Sequence, residues 1–166
     1  MDPAITEAPG GAEGSLLLAV AAGRAGMLAG SGGPFGAVIV GPDGRVVAEG
    51  CNRVTSANDP TAHAEITAIR AACAALGTFK LEGCTLYTSC EPCPMCLAAA
   101  YWARVDGIVY GSSREEAAAA GFDDAFLYDE LALAPEARRM PIRSVAAGAA
   151  AELFAEWSVL DGRTPY

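Results

Sequence analysis

Histidine is nearly absent from this chain: its 166 residues include one, at position 63. Bases are also scarce, with 11 Lys and Arg against 20 Asp and Glu and a formal charge of −9. Long polyanions draw much of their affinity from phosphate contacts, so this balance counts against a tRNA or DNA partner and favours a small neutral ligand. No apolar run approaches the roughly 20 residues that a membrane helix needs. The opening stretch, MDPAITEAPGGAEGS, lacks both the basic and the apolar segment of a signal peptide. The expected setting is therefore cytoplasmic, with neither membrane nor nucleic acid as a partner.

Cysteine, by contrast, is plentiful. The six cysteines stand at 51, 73, 84, 90, 93 and 96. An even number suits a disulfide framework only in an exported chain, and no export signal is present. Cys51, Cys73 and Cys84 are expected as small buried hydrophobes. The other three fall within one short stretch, SCEPCPMC, which has the density of a metal site.

Hydrophobic residues make up 52% of the chain, enough for a packed core, although alanine supplies much of that fraction. Residues 1–14, rich in Pro, Gly, Ala and Glu, read as a flexible leader, and 15–166 as one domain. SLLLAVAAGRAGMLAG has helical spacing, and PFGAVIVGPDGRVVAEGCN gives two β-branched runs joined by a PDG turn. A helix at 62–77, a strand at 84–89, a helix at 92–103, a strand at 105–111 and a short helix follow. MPIRSVAA is the expected last strand, ahead of a helix around 149–159. Strands alternating with helices in this order predict a mixed five-stranded sheet between helical layers.

The chemistry concentrates in AHAE and PCPMC. A catalytic zinc takes three His, Cys or carboxylate ligands and keeps a fourth position for water. His63, Cys93 and Cys96 supply such a set: a C-x-x-C at a helix start points two sulfurs at one ion, and the positive helix end favours thiolates. About thirty residues separate His63 from Cys93, room for a helix, a loop and a strand. Glu65, two residues after His63, is placed to move protons without binding metal. A structural site would want a fourth ligand, which Cys90 could give, and a redox C-x-x-C would need neither His63 nor Glu65. Cys90 is expected to stay off the metal, packed beneath it. A non-catalytic zinc module is the reading from another class, distinguished by having no use for Glu65.

H-x-E followed by P-C-x-x-C is the signature of the zinc deaminases of nucleobases. With GGPFGAVIV, NDPTAHAEITAIR and LYTSCEPCPMCLAA around it, the chain from about residue 15 onward resembles the cytidine deaminase-like fold. Within that fold GFDDAFLYDE, Phe35 in PFGA and an aromatic last residue resemble the bacterial guanine deaminases rather than the tRNA adenosine deaminases.

That resemblance implies a three-layer α/β/α domain around a mixed five-stranded sheet. It implies one zinc per chain on His63, Cys93 and Cys96 with a catalytic water, and Glu65 as proton shuttle. It also implies conversion of guanine to xanthine and ammonia, with guanosine or another purine nucleoside, or an s-triazine such as ammeline, as alternative substrates. Asp124 matches the acid that serves the leaving amine, with Asp123 as fallback. Asn52 matches a substrate-binding residue, the backbone of Ala64 is expected to hold the ring, and Phe35, Trp102 and Phe122 are candidate pocket walls. The C-terminal segment is expected to cross to a partner in a domain-swapped homodimer, with Tyr166 covering the partner's site.

Overall fold

The computed structural model describes residues 7–165. Four strands form one sheet: β1 (Gly36–Val40), β2 (Val46–Cys51), β3 (Thr85–Cys90) and β4 (Gly107–Ser112), in the order β2-β1-β3-β4. β1 runs antiparallel to both β2 and β3, whereas β3 and β4 are parallel, so the sheet is mixed. The helices are α1 (Gly11–Leu28), α2 (Val54–Ala57), α3 (Ala64–Leu76), α4 (Pro94–Ala103), α5 (Arg114–Ala119), α6 (Ala125–Ala132) and α7 (Ala147–Val159), with a 3-10 turn at Pro135–Ala137.

Every residue of β1, GAVIV, is buried, because both faces of the sheet are covered. Successive strand side chains point to opposite faces, and the packing follows that alternation. Ala37, Ile39 and Leu86 join Ala68 and Ala72 of α3 and Ala100 of α4, while Val38, Val40 and Tyr87 join Ala19 of α1. Hence α1 lies on one face and α3 with α4 on the other, which is the three-layer arrangement.

Glycine lets these helices sit directly on the strands. A Cβ at Gly23 of α1 would come within 2.7 Å of the Gly36 amide nitrogen, and one at Gly50 of β2 within 2.6 Å of the Ala68 nitrogen. The β1–β2 turn closes through the Gly44 amide on the Gly41 carbonyl at 2.9 Å, with Gly44 at φ 75°. That is a backbone setting open to glycine at little cost.

Two expectations are corrected. The sheet has four strands rather than five: MPIRSVAA forms no strand. Pro141 brings no N–H to a ladder, and Met140, Ile142 and Val145 are exposed instead of alternating in and out of a core. The stretch expected as a flexible leader, 1–14, is helical from Gly11 onward. The Ser15 hydroxyl accepts from the Ala8 amide at 2.9 Å and donates to the Gly11 carbonyl at 3.0 Å, and Ala8 is buried against the sheet's α1 side. Residues 1–6 of that leader lie outside the described residues.

The chain divides into two compact units, residues 1–128 and 129–166. In the second, Arg138 donates to the Leu133 carbonyl at 3.1 Å, and the Arg139 amide donates to Glu130 at 2.8 Å. Among the described residues no helix is long and apolar enough to cross a membrane.

Candidate active site

Two helix starts bring the key side chains together. His63 is the N-cap of α3 and Cys93 the N-cap of α4, both in extended conformation, and neither side chain caps its own helix. Pro94 occupies the first turn of α4, where its missing N–H costs nothing. One turn into that helix, Cys96 is fully buried.

The ligand atoms of His63, Cys93 and Cys96 all lie within 4.8 Å of one another, the one such metal-ready group among the described residues. His63 Nδ1 is 3.6 Å from Cys93 Sγ and 3.5 Å from Cys96 Sγ. One imidazole and two thiols meeting at one point fit zinc, with a fourth coordination position left for water.

The Cys96 hydrogen bond holds the Cys93 thiol down to about 4 against the effect of burial, with His63 assisting. Cys96, the donor to Cys93 and itself buried, moves in the opposite direction, upward. Two helix N-termini add their partial positive charge. Zinc takes both sulfurs as thiolates, so its binding here would release the protons they carry.

Glu65 is 6% exposed, and that burial pushes its carboxyl above the ordinary glutamate range. It lines, with His63 and Cys93, a cavity of about 390 Å³, within the size range of small-molecule sites. A buried carboxyl of raised proton affinity beside three metal donors is a group suited to holding and releasing a proton. Cys90 lies on the same wall but donates to the Ser113 carbonyl at 3.8 Å, and burial pushes its thiol up to about 11.

Asn52, the residue after β2, lies in the cavity wall and is 8% exposed. Its Oδ1 accepts from the Gly33 amide at 3.3 Å and the Val54 amide at 3.2 Å, so the group left to offer a ligand is the Nδ2 amide. Phe35 and Phe122 also line the cavity and meet edge to face, with centroids 4.8 Å apart at 84°. Gly33 makes room for them: a Cβ there would lie 3.2 Å from the Phe35 ring and 3.3 Å from the Phe122 ring.

Asp123 and Asp124 both reach the cavity, but differently engaged. Asp123 Oδ1 accepts from the Ala125 amide at 3.0 Å, tying it to the start of α6. Burial, reinforced by the Cys93 charge, raises the Asp124 carboxyl above the ordinary aspartate range.

Not every candidate is brought to this wall. Trp102 is 67% exposed and is not among the cavity-lining residues, because Cys96, Ala100 and Ala103 take the inward face of α4. Ala64 is fully buried as the first residue of α3 and presents no side chain to the cavity; its N–H lies in the first helical turn, beyond any intrahelical acceptor. Tyr166 lies outside the described residues.

Residues the sequence did not single out also belong here. Glu91 and Arg114 line the cavity. Glu91 Oε2 accepts from the Arg114 amide at 3.2 Å, the Arg114 guanidinium stands 4.6 Å over the Tyr128 ring, and the Tyr128 hydroxyl donates to the Pro92 carbonyl at 2.9 Å. The available signal was only Glu91's place inside SCEPC.

Residues 12–112 match the family described as the cytidine and deoxycytidylate deaminase zinc-binding region. The chain is 52% identical over 141 residues to a guanine deaminase of Bacillus subtilis, covering 85% of this chain and 90% of that protein. The X-ray structure of guanine deaminase from Bacillus subtilis superposes with a TM-score of 0.89 at 50% identity, over 93% of this chain and 98% of that one. A tRNA-specific adenosine deaminase of Agrobacterium fabrum is 53% identical over 79 residues, 48% of this chain and 51% of that protein.

Proposed function

This chain belongs to the cytidine and deoxycytidylate deaminase zinc-binding family, and from that premise we propose that it is a zinc-dependent aminohydrolase converting guanine and water to xanthine and ammonia. One observation carries the reading. Asp124 stands in the same cavity as Glu65, His63 and Cys93, yet it comes from beyond residue 112, where the shared zinc-binding region ends. The similarity to guanine deaminase spans 85% of the chain, whereas that to the tRNA-specific enzyme spans 48%.

His63, Cys93 and Cys96 hold the zinc, which when bound supplies the Lewis acidity that lets a water molecule ionise near neutral pH. The remaining work falls to the chain's own side chains. Glu65 takes the proton of the attacking water and passes it to the purine ring nitrogen next to C2. Its raised proton affinity suits it to carry that proton at neutral pH. Asp124 serves the exocyclic amine, so that nitrogen leaves as ammonia rather than as an amide ion. Asn52 donates from Nδ2 to an acceptor on the ring, the Ala64 N–H offers a second donor, and the Phe35–Phe122 pair presents apolar ring faces and edges to a planar base.

The segment after residue 128 forms its own compact unit, and α7 exposes Leu153, Phe154 and Trp157. These features support a homodimer that exchanges C-terminal segments, with Tyr166 over the partner's cavity. A dimeric mass in solution is the expected result, and a fully active monomer rules the exchange out.

The function is tested by incubating zinc-loaded protein with guanine and following xanthine and ammonia together. Equimolar release is expected; no xanthine at full zinc occupancy sinks the reading. Guanosine is the second substrate to try, since Val54 and Thr55 extend the lining of the cavity past Asn52 in the sequence.

A further inference from the structure

Asp124 sits in a segment without regular secondary structure. It follows Gly121, at φ 93°, and Phe122 and Asp123, all outside regular secondary structure and largely exposed. A carboxyl that must meet a leaving amine cannot wander, because a displacement of about 1 Å can cost roughly a hundredfold in rate. Something has to hold this loop against the metal site.

Phe122 provides one anchor through its contact with Phe35. It precedes Asp124 and fixes one side only. On the other side, Tyr128 lies in the first turn of α6, four residues after Asp124. The Tyr128 hydroxyl donates to the Pro92 carbonyl at 2.9 Å, and Pro92 is bonded directly to the metal ligand Cys93. The hydrogen bond therefore ties the helix that begins directly after Asp124 to the loop that leads to a zinc ligand.

The tie is itself braced. Arg114, the first residue of α5, stacks on the Tyr128 ring with its guanidinium carbon 4.6 Å from the centroid. Its backbone amide donates to Glu91 Oε2 at 3.2 Å, and its guanidinium lies 4.0 Å from Glu91 Oε1. Glu91 adjoins Pro92. Tyr128 is thereby held from two directions, by the carbonyl it binds and by the cation on its face, and both holds lead back to the same two residues of the β3–α4 loop.

We propose that Tyr128, through its hydrogen bond to the Pro92 carbonyl, is a positioning residue that sets the Asp124 carboxyl against the metal site, with Arg114 and Glu91 as its brace. It touches neither substrate nor metal and acts through Asp124, so the inference rests on the proposed role of Asp124 in ammonia departure.

The test is Tyr128→Phe in the zinc-loaded enzyme, which removes the hydroxyl and keeps the ring beneath Arg114. With thermal unfolding confirming a folded protein, kcat for guanine falls about tenfold and KM stays within about twofold, inside the range that misplacing a catalytic group costs. In an Asp124→Asn background the same substitution changes kcat less than about twofold, because the group it positions is already lost. Amide hydrogen exchange across residues 122–127 also accelerates in Tyr128→Phe. Unchanged kcat, or an equal loss in both backgrounds, overturns the proposal. If the wild-type protein does not turn over guanine, the functional reading fails by itself and hydrogen exchange decides for Tyr128: faster exchange supports the tie, and unchanged exchange ends it.

Discussion

His63 Nδ1 stands 3.6 Å from Cys93 Sγ across a sequence separation of 30 residues. Each occupies the N-cap of its own helix, so two helix starts and three donor atoms converge on one point. His63→Ala, Cys93→Ser and Cys96→Ser are each expected to lower zinc content well below one per chain and to abolish turnover. Cys90→Ser is expected to retain zinc, since Cys90 Sγ is engaged with the Ser113 carbonyl. Elemental analysis of the purified variants checks both halves, and zinc loss in Cys90→Ser alone would make the site structural.

Glu65 is required for proton movement and not for metal retention. Glu65→Gln removes the proton-accepting carboxylate at nearly constant volume. Turnover is expected to fall by about two to four orders of magnitude, the usual worth of a positioned general acid–base group, with zinc content unchanged. A variant that keeps wild-type activity would take Glu65 out of the proton movement.

The two aspartates of FDD should behave oppositely. Asp124→Asn is expected to lower kcat about a hundredfold, while Asp123→Asn keeps an oxygen for the Ala125 amide and retains most activity. Stability gives a second sign. Asp124 titrates above its ordinary value of 3.8 when folded, chiefly through burial. The stability linked to that shift is complete below the unfolded pKa and lost as pH rises through the folded one. At pH 7 the ionised, part-buried carboxylate is therefore a liability, so Asp124→Asn unfolds at the wild-type temperature or above it, and the advantage disappears near pH 4. Calorimetry at both pH values decides, and a less stable variant at pH 7 would mean that Asp124 makes a stabilising contact.

Gly32 holds Asn52 in place by having no side chain. A Cβ there would run into Asn52 Oδ1 and would approach the Asn52 carbonyl oxygen to 2.6 Å, backbone that cannot easily give way. Gly32→Ala is expected to destabilise the fold by about 1–3 kcal/mol, as overpacking generally does, and to raise KM more than it lowers kcat. Unaltered KM would remove Asn52 from substrate binding.

What could be read from the sequence divides along physical lines. The metal triad was legible because its spacing is covalent: the C-x-x-C lies on one helix, and a single histidine leaves no competing ligand. The β1–β2 hairpin was legible from PDG between β-branched runs. The fifth strand was misread because MPIRSVAA has strand composition, while strand formation depends on a ladder partner that composition does not report. Trp102 was expected at the pocket because aromatics suit purines, but the phase of α4 is fixed by Cys96, Ala100 and Ala103 facing inward. The Glu91–Arg114–Tyr128 brace was invisible: it joins a loop, a helix start and a second helix through one backbone carbonyl and one ring face, and none of these contacts leaves a periodic trace.

The most direct measurement is ammonia release by the zinc-loaded protein from guanine, guanosine, adenosine, cytidine and ammeline in parallel, with Glu65→Gln as control. Strong selectivity for guanine, lost in Glu65→Gln, is the predicted result. Preference for adenosine or cytidine, or release that survives Glu65→Gln, would contradict the account.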